Sequence, residues 1–144
     1  MNEAILCLSI ALFMEGRGEP VKGQFAIAEV IHNRTKHQDF PDDYCSVIKQ
    51  KGQFSFYKNP QSLKPPKHEI DAWNSSVKAA KDFSKNKTNY TKGALYFNSS
   101  RLGVRFNKQL KCKIGKHVFF WLHAFLFSRY LWQQEISIRF MTLK

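Results

Sequence analysis

Acidic residues are scarce in this chain: 11 Asp and Glu stand against 23 Lys and Arg, a formal charge of +12. A field of that sign favours an anionic partner, whether nucleic acid, a membrane surface or an acidic polymer, without choosing among them. Cysteine is also sparse. Cys7, Cys45 and Cys112 are odd in number, far apart and lack a C-x-x-C pair, which excludes a zinc ribbon and a multi-bridge framework and reads as free thiols from a reducing compartment. No H-E-x-x-H occurs, and His32, His37, His68, His117 and His123 have no metal-ligand spacing, so they are read as packing or surface groups. Long apolar runs are missing too. The run Ile5–Met14, about ten residues, is too short to span a bilayer. It looks like the apolar core of a secretory signal, but its flank is Asn2-Glu3 and it runs straight into Glu15, which argues against a cleaved leader. There is no internal repeat and no recognised nucleic-acid motif.

What is present is a helical pattern with a few strands. Glu3–Met14 reads as a buried helix broken by Gly16 and Gly18, and Glu19-Pro20 opens a second helix running to about His37. Pro20 suits a first helical position, which places Glu19 near the cap at the positive end of the dipole. Phe40-Pro41-Asp42-Asp43 is turn chemistry before a short amphipathic piece with Tyr44, Val47 and Ile48. A further helix spans about Ile70–Ser84, with Trp73, Val77, Ala80 and Phe83 as its buried stripe. Strands are expected at Gly52–Tyr57, at Gly93–Asn98 and over Lys108–Phe120, the last interrupted at Gly115. From Trp121 to Lys144 the apolar residues are spaced as in a helix with Arg129 among them, which reads as a packed or basic interfacial helix rather than a membrane span.

The corner Glu15-Gly16-Arg17-Gly18-Glu19-Pro20 concentrates the candidate chemistry. Glu15 leaves an apolar helix at its end, where partial desolvation favours the protonated carboxyl, as a general acid requires. Arg17 opposes that shift if its guanidinium lies close. Glu19, as a helix cap, is better suited to support than to proton donation. A second catalytic carboxylate is not evident: Asp39, Asp42, Asp43, Glu69 and Asp71 sit in polar turns, and Glu29 is either a buried partner or the polar face of its helix. On the strand at 52–57, Gln53 and Ser55 can hydrogen-bond without adding charge. Phe56, Tyr96 and Phe97 offer flat aromatic faces, although strand alternation should put one of Tyr96 and Phe97 in the core.

Four segments in order resemble the SleB/CwlJ-type cell-wall hydrolases, which include spore cortex-lytic enzymes and phage relatives. They are Glu15-Gly16-Arg17-Gly18-Glu19-Pro20 with Gly23-Gln24; Val30-Ile31-His32-Asn33-Arg34; Gly52-Gln53-Phe54-Ser55-Phe56; and Gly93-Ala94-Leu95-Tyr96-Phe97 with Ile114-Gly115-Lys116-His117-Val118-Phe119. Phe106 stands where relatives often carry tryptophan, and the residues after Phe120 have no counterpart.

The resemblance implies an α+β fold: a mainly helical lysozyme-like domain over residues 1–120 with a small antiparallel sheet; the basic, aromatic extension at 121–144 lies outside it. It implies cleavage of peptidoglycan between N-acetylmuramic acid and N-acetylglucosamine by a lytic transglycosylase, a lysin or autolysin acting as a monomer and without metal or cofactor. Glu15 would be the catalytic acid, with Glu19 and Arg17 supporting it and Gln53, Ser55, Phe56, Tyr96 and Phe97 binding substrate. The expected location is synthesis in the cytoplasm and action on the wall, with the basic tail touching an anionic envelope or membrane surface. The rival readings are a small basic nucleic-acid or polyanion-binding protein and a peptidoglycan amidase.

Overall fold

A computed structural model describes residues 1–50, 65, 67–100 and 112–121. The expected strand at 52–57, with Gln53, Ser55 and Phe56, and the extension beyond Trp121 lie outside the described residues, as does Phe106.

Helix α1 (Glu3–Gly16) begins where the Asn2 side chain accepts the Ile5 N–H at 2.8 Å, with Glu3 in the first turn complementing the dipole. Cys7 to Phe13 are buried without a break. An all-round apolar helix has no face to give to water, and α1 is accordingly the central element, packed by α2 (Val21–Thr35), α3 (Tyr44–Lys49) and α4 (Ile70–Lys85). Pro20 falls at the N-cap of α2 rather than at its first helical position. Asp43 caps α3 by accepting the Ser46 N–H at 2.8 Å, and hydrogen bonds from the Ser46 side chain and then its N–H lower the Asp43 pKa. A 3-10 turn, Lys67–Glu69, leads into α4, where Ser76, Ala79, Ala80 and Phe83 are buried while Trp73 and Val77 are half-covered.

The expected free thiols at Cys7 and Cys45 are corrected by the fold. Packing α3 against α1 brings their Cα atoms to 5.3 Å, and the two form a disulfide that clips these helices together. Cys112 is free.

The sheet has three antiparallel strands in the order β1-β3-β2: β1 (Tyr96–Ser99), β2 (Cys112–Ile114) and β3 (His117–Phe120). The expected interruption at Gly115 is the turn joining β2 to β3, where Gly115 takes a φ of 59°. Phe97 pairs with Phe119, Asn98 with Val118, and Ile114 with His117. The end of α2 holds the entry to β1: Asn33 Nδ2 donates to Ala94 O at 2.9 Å, and Arg34 Nε donates to Leu95 O at 2.8 Å. Arg34 is fully buried between the rings of Phe40 and Tyr96. Burial brings its pKa down to about 10, so it stays charged at neutral pH.

Candidate active site

The end of α1 and the start of α2 form a tight corner. Glu19 N–H donates to Gly16 O at 2.9 Å, and Gly18 takes a φ of 82°, which a side chain would strain. Gly16 lies against α2 so closely that an added Cβ would sit 3.2 Å from Ile27 Cδ1 and 3.4 Å from Gln24 Cγ.

Glu15 is half-buried at the head of this corner and makes no hydrogen bond or ion pair among the described residues. Burial alone pushes its pKa up to about 7. The carboxyl therefore carries a proton at acidic to near-neutral pH and can still release it, as a general acid requires. Arg17, two residues further on, does not oppose this. Its guanidinium pairs with Glu69 at the entry to α4 and lies 5.1 Å over the ring of Phe13, which meets Trp73 edge-on. The charge that the sequence left undecided is matched by a carboxylate from another element.

Glu19 has a different setting. It is 8% exposed, and its carboxylate accepts the Lys116 N–H from the β2–β3 turn, with both oxygens at 3.1 Å. The expectation of a helix cap is corrected: the N-cap of α2 is Pro20, with no side-chain cap bond, and the Glu19 carboxylate spans from the first turn of α2 to the hairpin. His117 Nδ1 lies 3.3 Å from Glu19 Oε1 without good hydrogen-bond alignment. Burial lowers the pKa of His117, with Glu19 opposing, so the ring is neutral near pH 7. A Cβ on Gly115 would overlap Glu19 Oε2 and lie 2.9 Å from its Cδ, which is why glycine is needed there.

Tyr96 and Phe97 are both buried, at 3% and 1% exposure. The expectation that one lines the groove is corrected by what covers the outer face of β1: Tyr96 stacks on Phe120, with Phe40 and Arg34 over it, while Phe97 packs on Phe119 and His117. Glu29 resolves to a buried partner. It accepts Thr88 Oγ1 at 2.6 Å, Tyr90 N–H at 2.7 Å and Thr91 N–H at 2.8 Å, fixing the loop between α4 and β1.

Sequence reasoning missed two groups at this corner. His117 was read as packing or surface, and nothing local signals its approach to a carboxylate 98 positions earlier. Gln24 was quoted in a motif without a role; it is buried, its Nε2 is 3.4 Å from Glu19 O, and its Oε1 has no hydrogen-bond partner among the described residues.

A helical domain with a small sheet and a desolvated acid, unpaired among the described residues, at a helix corner fits an enzyme that cleaves by proton transfer. The chain belongs to the Cell Wall Hydrolase family, whose model matches residues 18–120; that span begins after Glu15. Among similar proteins, the spore cortex-lytic enzyme of Bacillus cereus is 32% identical over 119 residues, covering 80% of this chain and 43% of the relative. That of Bacillus subtilis strain 168 is 31% identical over 129 residues, covering 82% and 37%. The chain thus spans less than half the length of these relatives. The catalytic domain of the germination-specific lytic transglycosylase SleB from Bacillus anthracis superposes with a TM-score of 0.65 at 30% identity, covering 83% of this chain and 95% of that one. The Bacillus cereus SleB catalytic domain gives 0.60, also at 30% identity.

Proposed function

We propose that this protein degrades peptidoglycan by cutting its glycan strands between N-acetylmuramic acid and N-acetylglucosamine as a lytic transglycosylase, with Glu15 as the catalytic acid and then base. The observation that carries the reading is the setting of Glu15: a half-buried carboxyl, without hydrogen bond or ion pair among the described residues, its pKa pushed up to about 7 by burial. Protonated Glu15 donates to the departing glycosidic oxygen as the C1–O4 bond breaks. The resulting carboxylate takes the proton of the muramic 6-hydroxyl as O6 bonds to C1, which closes an anhydro ring and restores the acid. No water is consumed, and one carboxyl suffices.

The remaining buried acids support this economy. Glu19 and Glu29 are each engaged with backbone N–H groups, which a second catalytic carboxylate would have to give up. The usual glycosidase pair sets two carboxyl groups across the scissile bond. The lytic transglycosylase named among the structural neighbours agrees with the one-acid route.

Mass spectrometry of soluble products released from purified peptidoglycan tests the reading. Anhydro-muropeptides are expected. Reducing ends would replace it with hydrolysis, and free peptides with intact glycans would replace it with an amidase.

A further inference from the structure

Between Phe83 and Gln134 the chain has no Asp or Glu. The surface that part of this stretch builds together with the start of α2 is closed by a ring of contacts. Lys22 Nζ lies 5.0 Å over the ring of Tyr90, and the Cys112 thiol of β2 points at Tyr90 O at 3.8 Å. Gly115, in the turn that follows β2, faces Pro20, to whose Cδ an added Cβ would come within 3.4 Å. Lys116 is tied back to Glu19 through its N–H. The first turn of α2, the loop before β1 and the β2–β3 turn therefore form one continuous face.

Its two acids are turned inward. Glu19 is used by Lys116 N–H, and Glu29 by the N–H groups of Tyr90 and Thr91 and the hydroxyl of Thr88. Outside remain Lys22, Lys92 and Lys116, all exposed, together with Val21 at 58% and Tyr90 at 41% exposure. An ordinary solvated face mixes both signs of charge and seldom displays a tyrosine ring and a valine between lysines. Here two buried carboxylates fix the backbone of a cationic, aromatic surface that starts within a few residues of the catalytic corner. Lys92 holds a φ of 53°, an uncommon conformation for a residue with a side chain, within the turn that presents Tyr90.

We propose that this face, formed by Pro20–Lys22, Tyr90–Lys92 and Lys116, binds the acidic peptide stems of the glycan strand, the lysines meeting stem carboxylates and Tyr90 packing against the adjoining sugar. The proposal rests on the wall glycan being the substrate. It gives the chain a means of engaging the strand beside the cleaved bond, and it assigns part of the large positive charge to a defined place. Lysine is suited to such contacts as a mobile point charge that follows flexible peptides.

The test is co-sedimentation of the full chain, carrying Glu15→Gln so that the polymer is not consumed, with insoluble peptidoglycan stripped of phosphodiester polymers. Three preparations are compared: free stem carboxylates, stems amidated with carbodiimide and ammonia, and glycan freed of stems and coupled to sedimenting beads. Binding to the first is expected to exceed binding to the other two by about ten-fold and to weaken with added salt. Lys22→Glu and Tyr90→Ala should each abolish that preference, and Lys22→Arg should keep it. Equal binding to all three preparations overturns the proposal, as does a preference that survives Lys22→Glu in a protein with an unchanged circular-dichroism spectrum. Binding seen only before phosphodiester polymers are stripped assigns the face to wall phosphates and also overturns it. If wild-type protein releases anhydro products while binding ignores the carboxylates, only this inference fails. If no wall product forms and no preparation is bound, the function reading fails with it.

Discussion

Glu15 and Glu19 are four residues apart in one corner, yet the fold treats them as opposites. Glu15 is only half-covered but has no partner among the described residues, and burial lifts its pKa to about 7. Glu19 is more deeply buried and meets the Lys116 N–H and the ring of His117. The difference lies in what each carboxyl meets: apolar surroundings keep the proton on Glu15, whereas Glu19 accepts the N–H of a turn from another element.

The largest expected effect breaks the comparison at Glu15. Glu15→Gln should lower the rate of anhydro-muropeptide release by about 10³-fold, within the usual span for losing a general acid, with the fold retained. In the wild type, kcat/KM should fall above about pH 7 as the acid ionises. The same shift bears on stability. A carboxyl whose pKa is raised in the folded state contributes stability that is complete below its unfolded value, 4.5, and is lost as pH rises through about 7. Glu15→Gln should therefore stabilise the protein at pH 8 by as much as roughly 3 kcal/mol, with the gain vanishing near pH 4. Denaturant melts at the two pH values check this, and equal effects at both would show that Glu15 is not desolvated.

The next effect separates global stability from acid tuning. The Cys7–Cys45 disulfide lies about 12 Å up α1 from Glu15, at 1.5 Å rise per residue. Closing a loop of 38 residues is worth about 4 kcal/mol by chain entropy. Cys7→Ala with Cys45→Ala should lower the urea midpoint accordingly, while the basic limb of the pH profile stays near 7. Movement of that limb would mean that the acid's environment depends on the far end of the helix.

Glu19 is tested through its partner. Gly115→Ala places a methyl on the Glu19 carboxylate at a positive φ, and should cost about 2–3 kcal/mol. Glu19→Gln keeps the shape and one acceptor and should cost about 1–2 kcal/mol, with activity reduced less than about ten-fold. A folded Glu19→Gln protein as inactive as Glu15→Gln would reverse the roles assigned to the two carboxylates.

How much of this was legible follows from the range of the forces involved. The four α-helices and the hairpin turn at Gly115 were readable because periodicity, caps and glycines act within a few residues. The desolvation of Glu15 was readable for the same reason, since Phe13 and the helix before it are local. What was not readable is long-range. Cys7 meets Cys45, Glu19 meets Lys116 and His117, and Arg17 meets Glu69 only because α1 runs through the centre of the domain. Tyr96 and Phe97 misled because alternation assumes a sheet with one wet face, whereas Phe40 and Arg34 cover the second face of β1.

Arg17 gives the smallest effect and the finest test of the contrast. Its pair with Glu69 is partly exposed, with the side chains 46% and 25% accessible, so breaking it should cost less than about 1 kcal/mol of stability. The two ways of breaking it differ in what they do to the acid. Arg17→Met removes the cation and should leave the basic limb of the pH profile near 7, because burial alone sets it. Glu69→Gln instead frees the guanidinium two residues from Glu15. A cation released there favours the ionised carboxyl and should draw the limb downward by less than about one unit, with salt reversing the change. If Arg17→Met raises the limb, Arg17 already acts on Glu15 in the wild type, and Glu15 is less isolated than its missing partners imply.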